Sequence, residues 1–203
     1  MKLKIKEGNF RKVINEAISE NRHVDYLNEV LKKYGEYKKA FDEIFTDQKN
    51  TEGEVYLFRV KYLNKKLVWR DIEILDIQTF CDLAEIIIGS MGWQNDHMHG
   101  FEFPNVKGDP DPLFTGSDIA FFGPGWEDDP HPTFKSSEIR VCDIDYKKIP
   151  KLVFTFDYGD SHQFEVVFQK ARDIKSKTEI KEMPRAVDTR GVAPEQYPDY
   201  EKE

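Results

Sequence analysis

Lys151-Leu-Val-Phe-Thr-Phe-Asp157 and His162-Gln-Phe-Glu-Val-Val-Phe168, separated by Tyr158-Gly-Asp-Ser161, form the clearest pair of strands in the chain. Apolar and polar side chains alternate through both runs, the period of two that a strand shows when one face lies on a core. The four residues between them have hairpin-turn chemistry, with Gly159 expected at positive φ and Asp157 or Asp160 expected to bond the turn amides. An antiparallel sheet is therefore the starting point.

Working towards the N-terminus, Val55 to Leu63 and Leu67 to Leu75 read as a second hairpin turning at Asn64-Lys-Lys. Thr79 then offers an N-cap to a helix carrying Phe80, Leu83, Ile86, Ile87 and Met91, ending near Gly89 to Gly92, whose apolar face should pack on the sheet. His97 to Phe103 is expected to be a short strand. Gly108 to Pro132, dense in Gly, Pro and Asp, reads as a long surface loop, and the stretch 104–132 is a candidate lid or docking surface. Beyond Lys175 the pattern dissolves into an expected irregular tail. Upstream, Phe10 to Phe45 has apolar residues at helical spacing, two amphipathic helices within a helical extension over residues 1–50. The expected architecture is an α+β fold over 54–203, with a mixed or mostly antiparallel sheet built from hairpins and a packed helix, rather than a βαβ alternation.

Composition narrows the function classes. The 203 residues hold 30 Lys and Arg against 38 Asp and Glu, and this net charge of −8 argues against coating nucleic acid phosphates. There is no run of about 18 apolar residues to cross a bilayer, and the start lacks the apolar core of a secretory signal, so a cytoplasmic protein that does not enter membranes is expected. Cys81 and Cys142 cannot form a CxxC pair or a four-thiolate zinc site, and free thiols are the expectation.

Few residues assemble into chemistry. His97 and His99, two apart on a strand, would share a face and could both reach one metal, with Asp157, Asp160 or His162 as the remaining ligands. Trp69 and Arg70 should point to opposite faces, so that if Trp69 is core then Arg70 is outside, free for an acidic residue or a ligand. Gly159-Asp160-Ser161 resembles the nucleophile block of the GDS-type esterases, but nothing after Ser161 supplies the Asp-x-x-His that those chains need. Gly123-Pro-Gly125 has no GK[ST] partner, and Asp109 to Asp111 lacks EF-hand spacing. No cofactor is implied.

Val68-Trp69-Arg70; Met91-Gly92-Trp93 with His97-Met98-His99-Gly100-Phe101; Phe156-Asp157-Tyr158-Gly159-Asp160; Pro184-Arg185; and Gly191-Val-Ala-Pro-Glu195 follow one another in the order and spacing of a known set. Over residues 54–203 the chain resembles an uncharacterised prokaryotic family named after the third open reading frame of a root-inducing plasmid, also known as an insertion-element passenger protein. The resemblance implies an α+β domain with no assigned reaction. Its motif positions make Arg70, Trp93, His97, His99, Asp157, Asp160 and Glu195 the candidate functional residues. Two departures stand out: His162 and Phe164 replace the family's Trp and His after the Asp-Tyr-Gly-Asp block, and Ala186 and Ala193 stand where many members have cysteines.

These observations favour a non-enzymatic binding or accessory module for a protein or small ligand. A metal-assisted hydrolase using His97 and His99 with Asp157 or Asp160 is the alternative. A nucleic-acid accessory role for a mobile element comes third and conflicts with the net charge.

Overall fold

The computed structural model describes residues 19–20, 44–46, 53–65, 67–103, 114–116 and 134–197. In chain order these give β1 (Glu54–Tyr62), β2 (Trp69–Leu75), α1 (Phe80–Ser90), β3 (His99–Glu102), β4 (Phe114–Gly116), β5 (Phe134–Lys135), two 3-10 turns (Ser136–Glu138 and Val141–Asp143), β6 (Lys151–Phe156), β7 (His162–Asp173), α2 (Lys177–Lys181) and β8 (Arg185–Arg190). The strands form one eight-stranded sheet in the order β5-β4-β3-β6-β7-β1-β2-β8. Every pairing is antiparallel except the parallel contact of β4 with β5. The mostly antiparallel α+β class is as expected. The helical extension expected over 1–50 lies, apart from 19–20 and 44–46, outside the described residues; Ile44 is buried in the main core.

Register explains the core. Phe58 pairs with Ile72 and Phe168, Phe154 with Phe164 and Phe101, and His99 with Phe156, so alternation sends this whole set to one face. Phe58, Phe101, Phe154, Phe156 and Phe164 are fully buried there. Helix α1 covers that face with Phe80, Leu83, Ala84, Ile87 and Ile88, and the Phe80 ring meets Phe101 edge-on at 4.9 Å. The opposite face carries charge in register: Arg59 pairs with Asp71, while Glu165 accepts from Lys61 (3.2 Å) and Lys151 (3.1 Å). Burial raises the Glu165 pKa, but the two lysines outweigh it and hold the carboxyl below its ordinary value.

Helix α1 begins and ends as its sequence dictates. The Thr79 hydroxyl accepts from the Asp82 amide (3.2 Å) and the Asp82 carboxylate accepts from the Thr79 amide (2.7 Å), a reciprocal capping box. At the other end the Trp93 amide reaches Ile88 O (3.3 Å) and the Gly92 amide reaches Gly89 O (2.9 Å), with Gly92 at φ +75°. That is a Schellman stop, which needs a left-handed residue where glycine stands.

Three expectations are corrected. Phe114–Gly116, placed in the surface loop, forms β4 and pairs with β3, because a Phe-Thr pair suits a strand even inside a Pro- and Asp-rich stretch. The tail is not irregular: α2 is capped by Ser176, whose hydroxyl accepts from the Glu179 amide (3.2 Å), and Arg185–Arg190 pairs with β2 as β8. In the β6–β7 turn, positive φ falls on Asp157 (54°) and Ser161 (53°) and not on Gly159. Asp157 tolerates it because its own carboxylate accepts from the Gly159 (2.9 Å) and Asp160 (3.3 Å) amides, the side-chain bonding expected of this turn.

Candidate functional site

Antiparallel register brings the C-terminal end of β1, the start of β2, the start of β3, the β6–β7 turn and the end of β8 to the same end of the sheet. All the family-motif candidates lie at or near it. Pro184 and Arg185, where β8 begins, lie at the opposite end.

Of the pair Trp69 and Arg70, it is Arg70 that faces the core. The alternation holds, but Arg70 shares the face of Ile72 and Ile74 and is only 5% exposed, while half-buried Trp69 lies on the other face with the Arg59 guanidinium 3.9 Å from its ring centre. A buried guanidinium is tolerable there because its N–H groups face carbonyls at the C-terminus of α1, the start of β2 and the end of β8. Its Nε donates to Ser90 O (3.0 Å) at the C-terminus of α1, and Nη1 donates to Trp69 O (2.8 Å), Arg190 O (3.0 Å) and, more distantly, Gly191 O (3.4 Å). Helix α1 has no basic residue in its last turn, so Arg70 supplies the cation that a helix C-terminus favours. Burial lowers the Arg70 pKa.

The Schellman stop sets Trp93 against the sheet end. Its ring lies 4.4 Å from His162 and 5.8 Å from both Tyr62 and Phe164, centre to centre. The indole Nε1 donates to Pro194 O (2.9 Å). His162 is buried between two partners, Tyr62 Oη at 3.1 Å from Nδ1 and Gln196 O at 3.0 Å from Nε2. A carbonyl only accepts, so Nε2 donates to Gln196 O, and the Tyr62 hydroxyl is the partner of Nδ1.

Residues 191–197 cross this floor as a strap. The Gln196 carboxamide forms two bonds with the Gln94 backbone, accepting from its amide (2.8 Å) and donating to its carbonyl (2.9 Å), and it also donates to Asp96 Oδ1 (2.9 Å). The Tyr197 hydroxyl donates to the same carboxylate oxygen (2.9 Å). Burial and then the Asp96 bond push that hydroxyl up to about 12, so it remains a donor at neutral pH.

His97 and His99 do not converge. His97 lies just before β3, 48% exposed at its side chain, with Nε2 3.6 Å from Asp157 Oδ2 and its ring 5.9 Å from Tyr197. His99 lies on the core face, 1% exposed, its Nε2 3.0 Å from Ser136 Oγ and its Nδ1 without a hydrogen-bond partner among the described residues. Burial lowers its pKa to about 4, so it is neutral at physiological pH. Among the described residues no group of three or more His, Cys, Asp or Glu side chains is placed to hold a metal. Asp160 and Glu195 are exposed, Asp160 in the turn and Glu195 on the strap. Cys81 is half-buried, Cys142 is buried, and no disulfide joins them.

Sequence reading passed over Tyr62, Gln196, Tyr197, Asp96 and the Ser136 partner of His99, and it offered His162 only as an alternative to Asp157 and Asp160 for a further metal ligand. His162 left a signal, since it shares the alternation of Phe164 and Val166 and so points inward. Gln196 and Asp96 left none, being ordinary surface residues until the chain folds back on itself.

The site and sheet define an antiparallel α+β domain in which a capped helix, two hairpin ends and the C-terminal strap meet around a buried aromatic floor. The chain belongs to the plasmid pRiA4b ORF-3-like protein family, whose profile matches residues 54–198. It is similar in fold to the crystal structure of a protein of unknown function from Methanosarcina mazei Go1, at 24% identity and a TM-score of 0.56, over 72% of this chain and 75% of that one. No curated protein matches the chain. Among the described residues no helix is long and apolar enough to cross a membrane.

Proposed function

We propose that this domain is a non-enzymatic binding module and that its ligand surface is the sheet end crossed by the strap. One observation carries the reading. Of the eight large apolar side chains exposed among the described residues, five belong to the segments that form this end: Leu63 and Leu67 of the β1–β2 turn, Tyr158 of the β6–β7 turn, and Val192 and Tyr197 of the strap. Exposed apolar side chains gathered at one place mark interaction surfaces, whereas scattered ones do not. The aromatic rings beneath are packed against one another, which favours a partner laid across the rim over a small molecule held within it.

Tyr158 and Ile180 are equally exposed, at 41%, and lie at opposite ends of the sheet. A photo-crosslinking amino acid placed at each position in the native cell tests the assignment. A discrete protein adduct from position 158 and none from position 180 is expected. Equal labelling from both positions, or none from 158, overturns it.

A further inference from the structure

We infer that residues 191–197 stand in for the ligand of this surface: the partner is an extended polypeptide segment bearing a carboxamide side chain, and it binds by displacing the strap. The inference rests on the binding-module reading and adds the chemistry of the partner.

Three features of the strap carry it. Trp93 Nε1 and His162 Nε2 take the carbonyls of Pro194 and Gln196, two residues apart, which is the spacing at which an extended chain presents successive carbonyls on one side. With Arg70 on Arg190 O, a row of domain side chains reads main-chain acceptors that every peptide possesses. The Gln94 backbone then offers a donor and an acceptor together, and the Gln196 carboxamide satisfies both. A primary amide can do this with one side chain; a carboxylate, which has no donor, and an amine, which has no acceptor, cannot. Finally, the strap's apolar anchorage is small, with only the Ala193 methyl packed on the main core: Val192 is 86% exposed, Glu195 and Tyr197 are exposed, and Pro194 is only half-buried. Elements of a fold are usually held by apolar burial. This one is held by hydrogen bonds, each of modest net worth, that a peptide in trans can reproduce.

The test uses the full chain, the Gln196→Ala variant, and a synthetic capped peptide spanning residues 189–197. Hydrogen exchange at the Gln94 amide reports whether the strap has opened, and calorimetry reports peptide affinity. Because the strap competes for the groove, the apparent affinity of the native chain is reduced by the fraction of open molecules. The peptide is expected to bind the variant at least about 10-fold more tightly than the native chain. A peptide with glutamate at the Gln196 position is expected to bind about 10-fold more weakly, losing the donor and facing Asp96. If Gln196→Ala does not fold, Tyr197→Phe, which removes only the hydroxyl on Asp96, takes its place. An open strap with no peptide binding, or equal binding to both chains, overturns the inference. If the Tyr158 crosslink then persists, the surface binds a partner of different chemistry; peptide binding without a crosslink would mean instead that the strap is exchangeable while the partner assignment fails.

Discussion

At the sheet end that gathers the motif residues, Arg70, Trp93 and His162 donate to main-chain carbonyls; at the opposite end, Glu73, Arg172, Glu179 and Arg185 neutralise one another side chain to side chain. Arg172 bridges Glu73 (2.7 Å) and Glu179 (2.6 Å), and Arg185 closes on Glu73 (2.8 Å). A circuit of mutually paired charges leaves nothing to offer a newcomer. Donors aimed at carbonyls are different, because any polypeptide carries what they seek. The contrast separates a region that holds the β2, β7, β8 and α2 segments together from one suited to exchanging what it holds.

The largest way to break the comparison is Arg70→Met. It removes the donor from the carbonyls of Ser90, Trp69 and Arg190, and a loss of about 3 kcal/mol is expected in urea unfolding. A loss under about 1 kcal/mol would show that water replaces the guanidinium freely.

Acid should separate the two ends. His99 has a folded pKa of about 4, below its ordinary 6.5, so as pH falls below 6.5 the unfolded chain takes up a proton that the folded one refuses. Its stabilisation is complete above 6.5 and is lost towards pH 4, by about 3 kcal/mol. Glu179 is held at about 2, below its ordinary 4.5, by the Arg172 hydrogen bond and then the Lys175 amide, so its contribution is present above 4.5 and fades only as pH falls towards 2. Urea midpoints measured against pH should therefore lose their upper limb in His99→Gln and their lower limb in Glu179→Gln.

Smaller effects sharpen the picture. Trp93→Phe removes one hydrogen bond to Pro194 and should cost about 1 kcal/mol while speeding exchange at the Gln94 amide. His97→Ala, at an exposed position, should change stability by less than about 0.5 kcal/mol and leave zinc binding, read by calorimetry, unaltered. Loss of stoichiometric zinc in that variant would restore the metal reading of the two histidines.

The sheet was legible wherever alternation was strong and turns had the right residues, as at 151–168 and 55–75. Thr79 and the Gly89 to Gly92 stretch announced both ends of α1. The β8 strand was missed because Arg185-Ala-Val-Asp-Thr-Arg190 is an edge strand with five of six residues exposed, so no hydrophobic face marked it. The site was legible only as a set of residue types. Motif order named Arg70, Trp93 and His99, but not that they turn inward, because local pattern is silent about which carbonyls the chain brings back from 100 residues away. Arg70 makes the point most sharply: alternation left open which of Trp69 and Arg70 faces the core, and the carbonyls at the C-terminus of α1 decide it.

On β7, His162 and Arg172 are ten residue steps of about 3.3 Å apart, so these two residues stand about 33 Å from one another. Ionic screening at physiological salt acts over about 8 Å. A proton gained by His99, level with His162, is therefore screened from Glu179, which pairs with Arg172, and the two acid-sensitive limbs should simply add. If a partner on the strap end alters the charge circuit, the shortest path runs along β2, on which Arg70 and Glu73 stand three residues apart.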